Sequence, residues 1–149
     1  MGAPVVHFEL NARDGKRAQE FYAALFEWKI DANNSWNYGL VNTGVKRGIN
    51  GGIGQAQSNM APGPIFYVEV EDLPGCLAKA ESMGARTVVP ITEIPGMVTF
   101  AVFSDPEGLN VGLIKGMQPP QKKAAPRKKA KPAKKRARPK ARAKKSRRR

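Results

Sequence analysis

His7 and Glu9 alternate along one short segment of the chain, and Tyr67 and Glu69 alternate along another. His7 is the only histidine. Its unperturbed pKa lies close to working pH, which suits a general base or acid. A pair of carboxylates such as Glu9 and Glu69 also suits acid/base work, although the same pair serves equally well as a solvated rim. Residues two apart on a strand share a face but stand ~7 Å apart, so His7 and Glu9 need not touch. Tyr67, with Trp36 and Tyr38, offers an apolar wall carrying a few polar groups, the usual make-up of a small-molecule pocket. The candidate catalytic residues are therefore His7, Glu9 and Glu69, and the candidate ligand-binding residues are His7, Trp36, Tyr38, Asn50 and Tyr67. The plainer alternatives are a cleft-wall histidine bonded to a neighbour and aromatic rings packed on a sheet. For Trp28, packing is the better reading. The stretch Gly48–Gly52 is not a phosphate loop, because it lacks the Lys-Ser/Thr ending and does not lead from a strand into a helix. Glycines within a strand mark a bulge or a close approach instead. A single cysteine, Cys76, excludes a disulfide scaffold and a cysteine-rich zinc site, and on an apolar helix face it reads as an inert buried thiol.

A repeated element must position these side chains. Residues 7–14 (HFELNARD) align with 65–72 (IFYVEVED) at an offset of 58. Val6, Phe8 and Leu10 are apolar on one face, as are Phe66, Val68 and Val70, while the other faces carry Val5, His7 and Glu9 against Ile65, Tyr67 and Glu69. This alternation predicts a strand with one face on a core. Asp14 and Asp72 then stand where a helix N-cap is wanted. Apolar residues follow at helical spacing: Ala18, Phe21, Tyr22, Leu25 and Phe26 in the first copy, Cys76, Leu77, Ala80 and Met83 in the second, with Gly84 as C-cap. Further strands are expected at 29–30, 36–41 and 49–54, and again at 86–89, 98–103 and 110–114. The turn of 104–108 (SDPEG) has type I chemistry, and residues 55–64 (QAQSNMAPGP) have linker composition. The expected fold is α+β, with two βαβββ units at about 4–54 and 64–116 inside a domain of 1–118.

These motifs, with GINGG and DPEGLNVGLI beside HFELNARDGKRAQEFYAALFEW and VEVEDLPGCLAKAESMGA, resemble the vicinal oxygen chelate superfamily of glyoxalases, extradiol dioxygenases and bleomycin-resistance proteins. Within it they are similar to a bacterial glyoxalase-like subgroup marked by GINGG. Glu27 departs from the pattern where Gly usually precedes the Trp, and Leu109 where Asn usually follows DPEG. The resemblance implies two curled sheets forming a half-barrel around a cleft, and four metal-ligand positions that fall here on His7, Gly52, Ile65 and Gly112. Only His7 of these can ligate, whereas a catalytic zinc site takes about three protein ligands. No cofactor is expected, a divalent metal being the less favoured alternative.

The chain has 149 residues and a formal charge of +14, unevenly placed. From Pro119 to Arg149 there are 17 Lys or Arg and no acidic residue, leaving 9 basic and 12 acidic side chains in the body. The 119–149 tail is almost wholly Lys, Arg, Ala and Pro, with no large apolar residue to offset its ordering entropy, so disorder is expected. It resembles linker-histone tails. Lys122, Lys123, Arg127, Lys128, Lys129, Lys134, Lys135, Arg136, Arg138, Arg142, Lys144, Lys145, Arg147, Arg148 and Arg149 are expected to contact nucleic acid without sequence preference, through counterion release. A solvated charge run and an anionic lipid surface are the weaker alternatives. No apolar run approaches the ~20 residues of a membrane span, and no signal peptide is evident. A cytoplasmic, nucleoid-associated protein is expected (nuclear in a eukaryotic host). Three functions follow: a small-molecule-binding protein tethered to nucleic acid, a glyoxalase-type lyase or isomerase acting on an α-keto aldehyde or its thiol adduct, and a nucleoid protein whose body mainly forms a homodimer.

Overall fold

A computed structural model describes residues 2–115. The tail of 119–149, with every basic residue named in it, lies outside the described residues. The elements run β1 (Val5–Ala12), α1 (Gly15–Phe26), β2 (Lys29–Asp31), β3 (Gly39–Asn42), β4 (Gly51–Gln55), β5 (Gly63–Val70), α2 (Leu73–Ser82), β6 (Arg86–Ile94), β7 (Val98–Ser104) and β8 (Asn110–Lys115). This is the expected α+β arrangement of two βαβββ units. Both helices start as the capping rule requires: Asp14 accepts from Arg17 N at 3.0 Å and Asp72 from Gly75 N at 3.0 Å. Among the described residues no helix is long and apolar enough to cross a membrane.

The two units share one mixed sheet of eight strands, ordered β2-β3-β4-β1-β5-β8-β7-β6. Its centre is the antiparallel pair β1–β5, flanked by the parallel pairs β1–β4 and β5–β8. The first strand of each unit therefore lies mid-sheet, where its alternate residues are aimed most reliably. Both helices cover one face. On the opposite, helix-free face, Val102 is 1 % and Ile114 5 % exposed. Such burial without a helix requires the sheet to curl: Val88 and Val89 of β6, and Met60 of the connection between units, close over them.

Three expectations need correction. The strand expected over 36–41 begins only at Gly39, because Asn34 Oδ1 accepts from the backbone of both Trp36 and Tyr38 and holds this stretch as a turn. The strand expected over 86–89 runs on to Ile94, past Pro90, which an edge strand tolerates at its irregularities. The core is not confined to the helix face: Phe66 is 46 % exposed, whereas Ile65 and Tyr67, facing away from the helices, are buried.

Candidate functional site

Strand register lays the helix-free face out in rows. Glu9 is paired with Gly52 on one side and Ile65 on the other, and Gly52 in turn with Leu40. The next row joins His7, Tyr67, Gly112 and Val102. The four positions carried over from the resemblance thus fall in two adjacent central rows.

Glu9 organises the polar side chains here. Its Oε2 accepts from Tyr38 Oη at 3.0 Å and from Tyr67 Oη at 3.2 Å, and its Oε1 accepts from Asn11 Nδ2 at 2.7 Å. Burial raises both tyrosine pKa values far above their ordinary range, and the adjacent Glu9 charge adds to the effect, so both remain phenols. Each phenol has one proton. Since that of Tyr38 goes to Glu9, the 3.2 Å contact between Tyr38 Oη and His7 Nε2 takes its proton from the imidazole. Burial holds His7 below its ordinary pKa, against a smaller opposing pull from Glu9. His7 is therefore neutral at pH 7, with Nε2 protonated and Nδ1 carrying the free lone pair. An imidazole in that state accepts a proton or a hydrogen bond at Nδ1.

The two tyrosine rings lie where metal ligands would have to stand. A Cβ on Gly112 would lie 2.5 Å from Tyr67 Cγ and closer still to Cδ1 and Cε1, and a Cβ on Gly52 would overlap the Tyr38 hydroxyl. Ile65, the third such position, is apolar and buried. Among the described residues no group of three His, Cys, Asp or Glu converges on a common point. The residues present do not fit a divalent metal: one imidazole remains, phenols committed to Glu9 cover Gly52 and Gly112, and the fourth position is the apolar Ile65.

The structure brings together His7, Glu9, Tyr38 and Tyr67 of the candidate residues. Trp36 stands apart, 63 % exposed, and lines a surface cavity of about 630 Å³ with Gln19, Asn37 and Gln55 beside the start of α1. Asn50 closes its own loop, its Oδ1 accepting from Thr43 N and Thr43 Oγ1. Glu69 shares the face but lies in the row beyond, beside Ile114, and does not join the Glu9 network. Sequence reasoning missed Asn11, buried at 7 %. The available signal was its place two residues after Glu9 on one strand.

No family model matches the chain. A curated relative from Mycobacterium bovis, named "Putative glyoxylase CFP32", is 29 % identical over 113 residues, covering 70 % of this chain. The match spans 42 % of that relative's length. A glyoxalase/bleomycin resistance protein/dioxygenase superfamily member from Vibrio splendidus superposes with a TM-score of 0.52 at 14 % identity, over 76 % of this chain and 98 % of the other. Methylmalonyl-CoA epimerase from Mycobacterium tuberculosis gives 0.52 at 15 % identity, over 74 % and 86 %. The body of the chain has the glyoxalase/bleomycin resistance/dioxygenase fold.

Proposed function

We propose that this chain is a glyoxalase-like small-molecule-binding protein of the GINGG subgroup that works without a metal and is tethered to nucleic acid by its basic tail. One observation carries the metal-free part: tyrosine rings cover Gly52 and Gly112, two of the four positions through which this fold would hold a cation. What replaces the cation is a carboxylate fixed by three donors. A carboxylate offers about four lone-pair sites, so Glu9 retains roughly one for a ligand, and the tyrosine oxygens offer acceptors beside it. The face therefore suits a small ligand bearing hydrogen-bond donors, such as an amine, amide or hydroxyl.

A second reading rests on His7. A neutral imidazole with its proton fixed on Nε2 is a base at Nδ1, and proton abstraction next to a carbonyl is the step a glyoxalase-type isomerase or lyase requires. The kinship to a protein named as a glyoxylase and the fold shared with an epimerase support this alternative. Turnover of an α-keto aldehyde–thiol adduct by the purified chain, abolished in His7→Gln, would decide for it.

The tail supplies the tether through its 17 basic residues. Full engagement with duplex DNA would give a slope of log K against log salt near −15, at ~0.9 per phosphate, and partial engagement gives roughly −6 to −12. The test combines elemental analysis and a salt titration of the full chain. The expected results are well under one equivalent of Zn, Ni, Mn or Fe, and a steep slope that vanishes when 119–149 is removed. Near-stoichiometric metal lost in His7→Ala would sink the first part, and salt-insensitive binding would sink the second.

A further inference from the structure

The chain has two tryptophans, and they are placed differently. Trp28 packs against Phe8, Tyr22 and Phe26, with ring centroids 5.5, 6.1 and 4.9 Å away. Trp36 is largely exposed and stacks on no other ring among the described residues. It is nevertheless held firmly. Asn34 Oδ1 accepts from Trp36 N at 3.2 Å and from Tyr38 N at 3.1 Å, and Asn34 Nδ2 donates to Tyr38 O at 2.7 Å. A braced turn thus keeps a broad aromatic face in solvent. That ring borders the cavity of about 630 Å³ beside the start of α1, a volume in the range of small-molecule sites. None of His7, Glu9, Tyr38 or Tyr67 lines it. The polar lining is prearranged too. Gln19 Nε2 donates to Asn37 O and Ile53 O, both at 2.9 Å, so Oε1 is the group this side chain retains for a ligand. Gln55 Oε1 accepts from Gly15 N at 3.0 Å and its Nε2 donates to Arg13 O, which leaves one amide proton. An acceptor and a donor from two fixed amides match the mixed edge that a nucleobase presents. Charge completes the picture. Three of the nine basic residues of the body, the exposed Arg13, Lys16 and Arg17, stand within five positions here, with Asp14 as the one acid among them. Lys16 itself lines the cavity.

We propose that this cavity is a second ligand site, separate from the Glu9 face, that takes a nucleotide: the base stacks on the Trp36 indole, Gln19 and Gln55 bond its edge, and Lys16 meets the phosphate. Stacking on an exposed aromatic side chain tolerates any base, because every base has a π-face. Three other ligand classes fit less well. An aliphatic ligand would desolvate the amides of Gln19, Asn37 and Gln55 without bonding them. A neutral sugar would use the indole and the amides but leave the basic cluster idle. A bare phosphate has no use for the indole, and the α1 amides it would seek are already taken, Gly15 N by Gln55 and Arg17 N by the capping Asp14. A free mononucleotide and an unpaired residue of a strand share the chemistry that fits. The site stands independently of the cleft ligand and of the tail.

The test reads the two indole N–H signals of the full chain by nuclear magnetic resonance in ~0.5 M salt, which screens the tail. Adenosine 5′-monophosphate should shift the Trp36 signal, identified by its loss in Trp36→Phe, and leave that of Trp28 unmoved. The shift should saturate with a Kd of about 1 mM or below. Adenosine should bind roughly three- to tenfold more weakly, for want of the charged bond to Lys16, and ribose 5-phosphate and glucose should leave the signal in place. Lys16→Ala should lower the affinity for the monophosphate to that for adenosine and leave adenosine binding unchanged. By equilibrium dialysis, Trp36→Ala should weaken adenosine binding about fivefold or more. A short oligodeoxyadenylate, compared at equal base concentration, distinguishes a base within a strand from a free nucleotide, and a Trp36 shift by either supports the site. No Trp36 shift by about 10 mM monophosphate, a shift by glucose or ribose 5-phosphate of equal affinity, or adenosine binding kept in Trp36→Ala but lost in Glu9→Gln would overturn the proposal.

Discussion

The seating of Tyr67 over Gly112 can be tested as a pair. A methyl group at 112 would stand 2.5 Å from Tyr67 Cγ and closer to two further ring carbons, where ordinary contact begins near 3.4 Å. Tyr67 cannot swing aside: it is 4 % exposed and packed among Met60, Ile65, Val102 and Ile114. Gly112→Ala should therefore cost about 3 kcal/mol, the upper end for overpacking a rigid site. Tyr67→Ala alone should cost about 3–5 kcal/mol, as loss of a large buried aromatic side chain does. It also removes the three nearest atoms that the methyl would meet. In that background Gly112→Ala should cost no more than about 0.5 kcal/mol, which makes the coupling between the two sites about 2.5 kcal/mol. Urea unfolding of wild type, both single variants and the double variant gives all four corners. Costs that add to within ~0.5 kcal/mol would refute the claim that the ring occupies the glycine's side-chain space.

Two other perturbations follow from the geometry. Because His7 is the only histidine, its imidazole signal can be followed alone by nuclear magnetic resonance, and it should titrate below 6.5 and lower still in Glu9→Gln, where burial acts unopposed. A folded pKa below the unfolded one means that the unfolded chain takes up the proton first. Stability should thus fall as pH drops through 6.5 towards the folded pKa and level off below it, a dependence missing in His7→Gln; titration at or above 6.5 would contradict the burial. Glu27 has φ +56° at the C-cap of α1, a left-handed conformation that glycine adopts freely. Glu27→Gly should therefore stabilise the chain by about 0.5–1 kcal/mol, measured by urea unfolding.

The repeat, the strand alternation and both helix caps were legible because each rests on local chemistry: period-two patterning, or an Asp at the right step before a helix. Chain ends of elements were less so. Nothing in the run from Trp36 to Val41 excludes a strand until Asn34 is recognised as an acceptor for two backbone amides. His7, Glu9, Tyr38 and Tyr67 were foreseeable as occupants of one face, since alternation fixes sides. Their joining into one network depends on lateral register, which no spacing encodes. Trp36 illustrates the limit: an aromatic residue two before Tyr38 would share its face only if the strand extended that far. The two positions at which the sequence departs from the pattern it resembles, Glu27 and Leu109, also differ in weight. Glu27 occupies a position where backbone conformation favours glycine, whereas Leu109 points to solvent while Asp105 Oδ1 accepts from Glu107 N and Leu109 N, so the turn does not depend on the side chain at 109.

The two halves of the repeat have the same topology and opposite fillings. In the second half each face holds a cluster of buried apolar side chains, one under α2 and the other under β6 and Met60. In the first half the helix-free face is polar around Glu9 and the helix face is open around Phe21 and Phe26. A fold this size requires a closed core somewhere; the second half provides most of it, and Ile53 and Val41 extend it into the first. The first half therefore carries less of that burden, and buried polar groups and exposed aromatic rings can persist there without unfolding the domain. The strand that holds both His7 and Glu9, β1, is fixed by its direct pairing with β5 of the second half. Substitutions in the second half should therefore be read out mainly as lost stability. Substitution at Glu9 should alter binding while leaving the fold largely intact, because β1, which carries it, is anchored on β5.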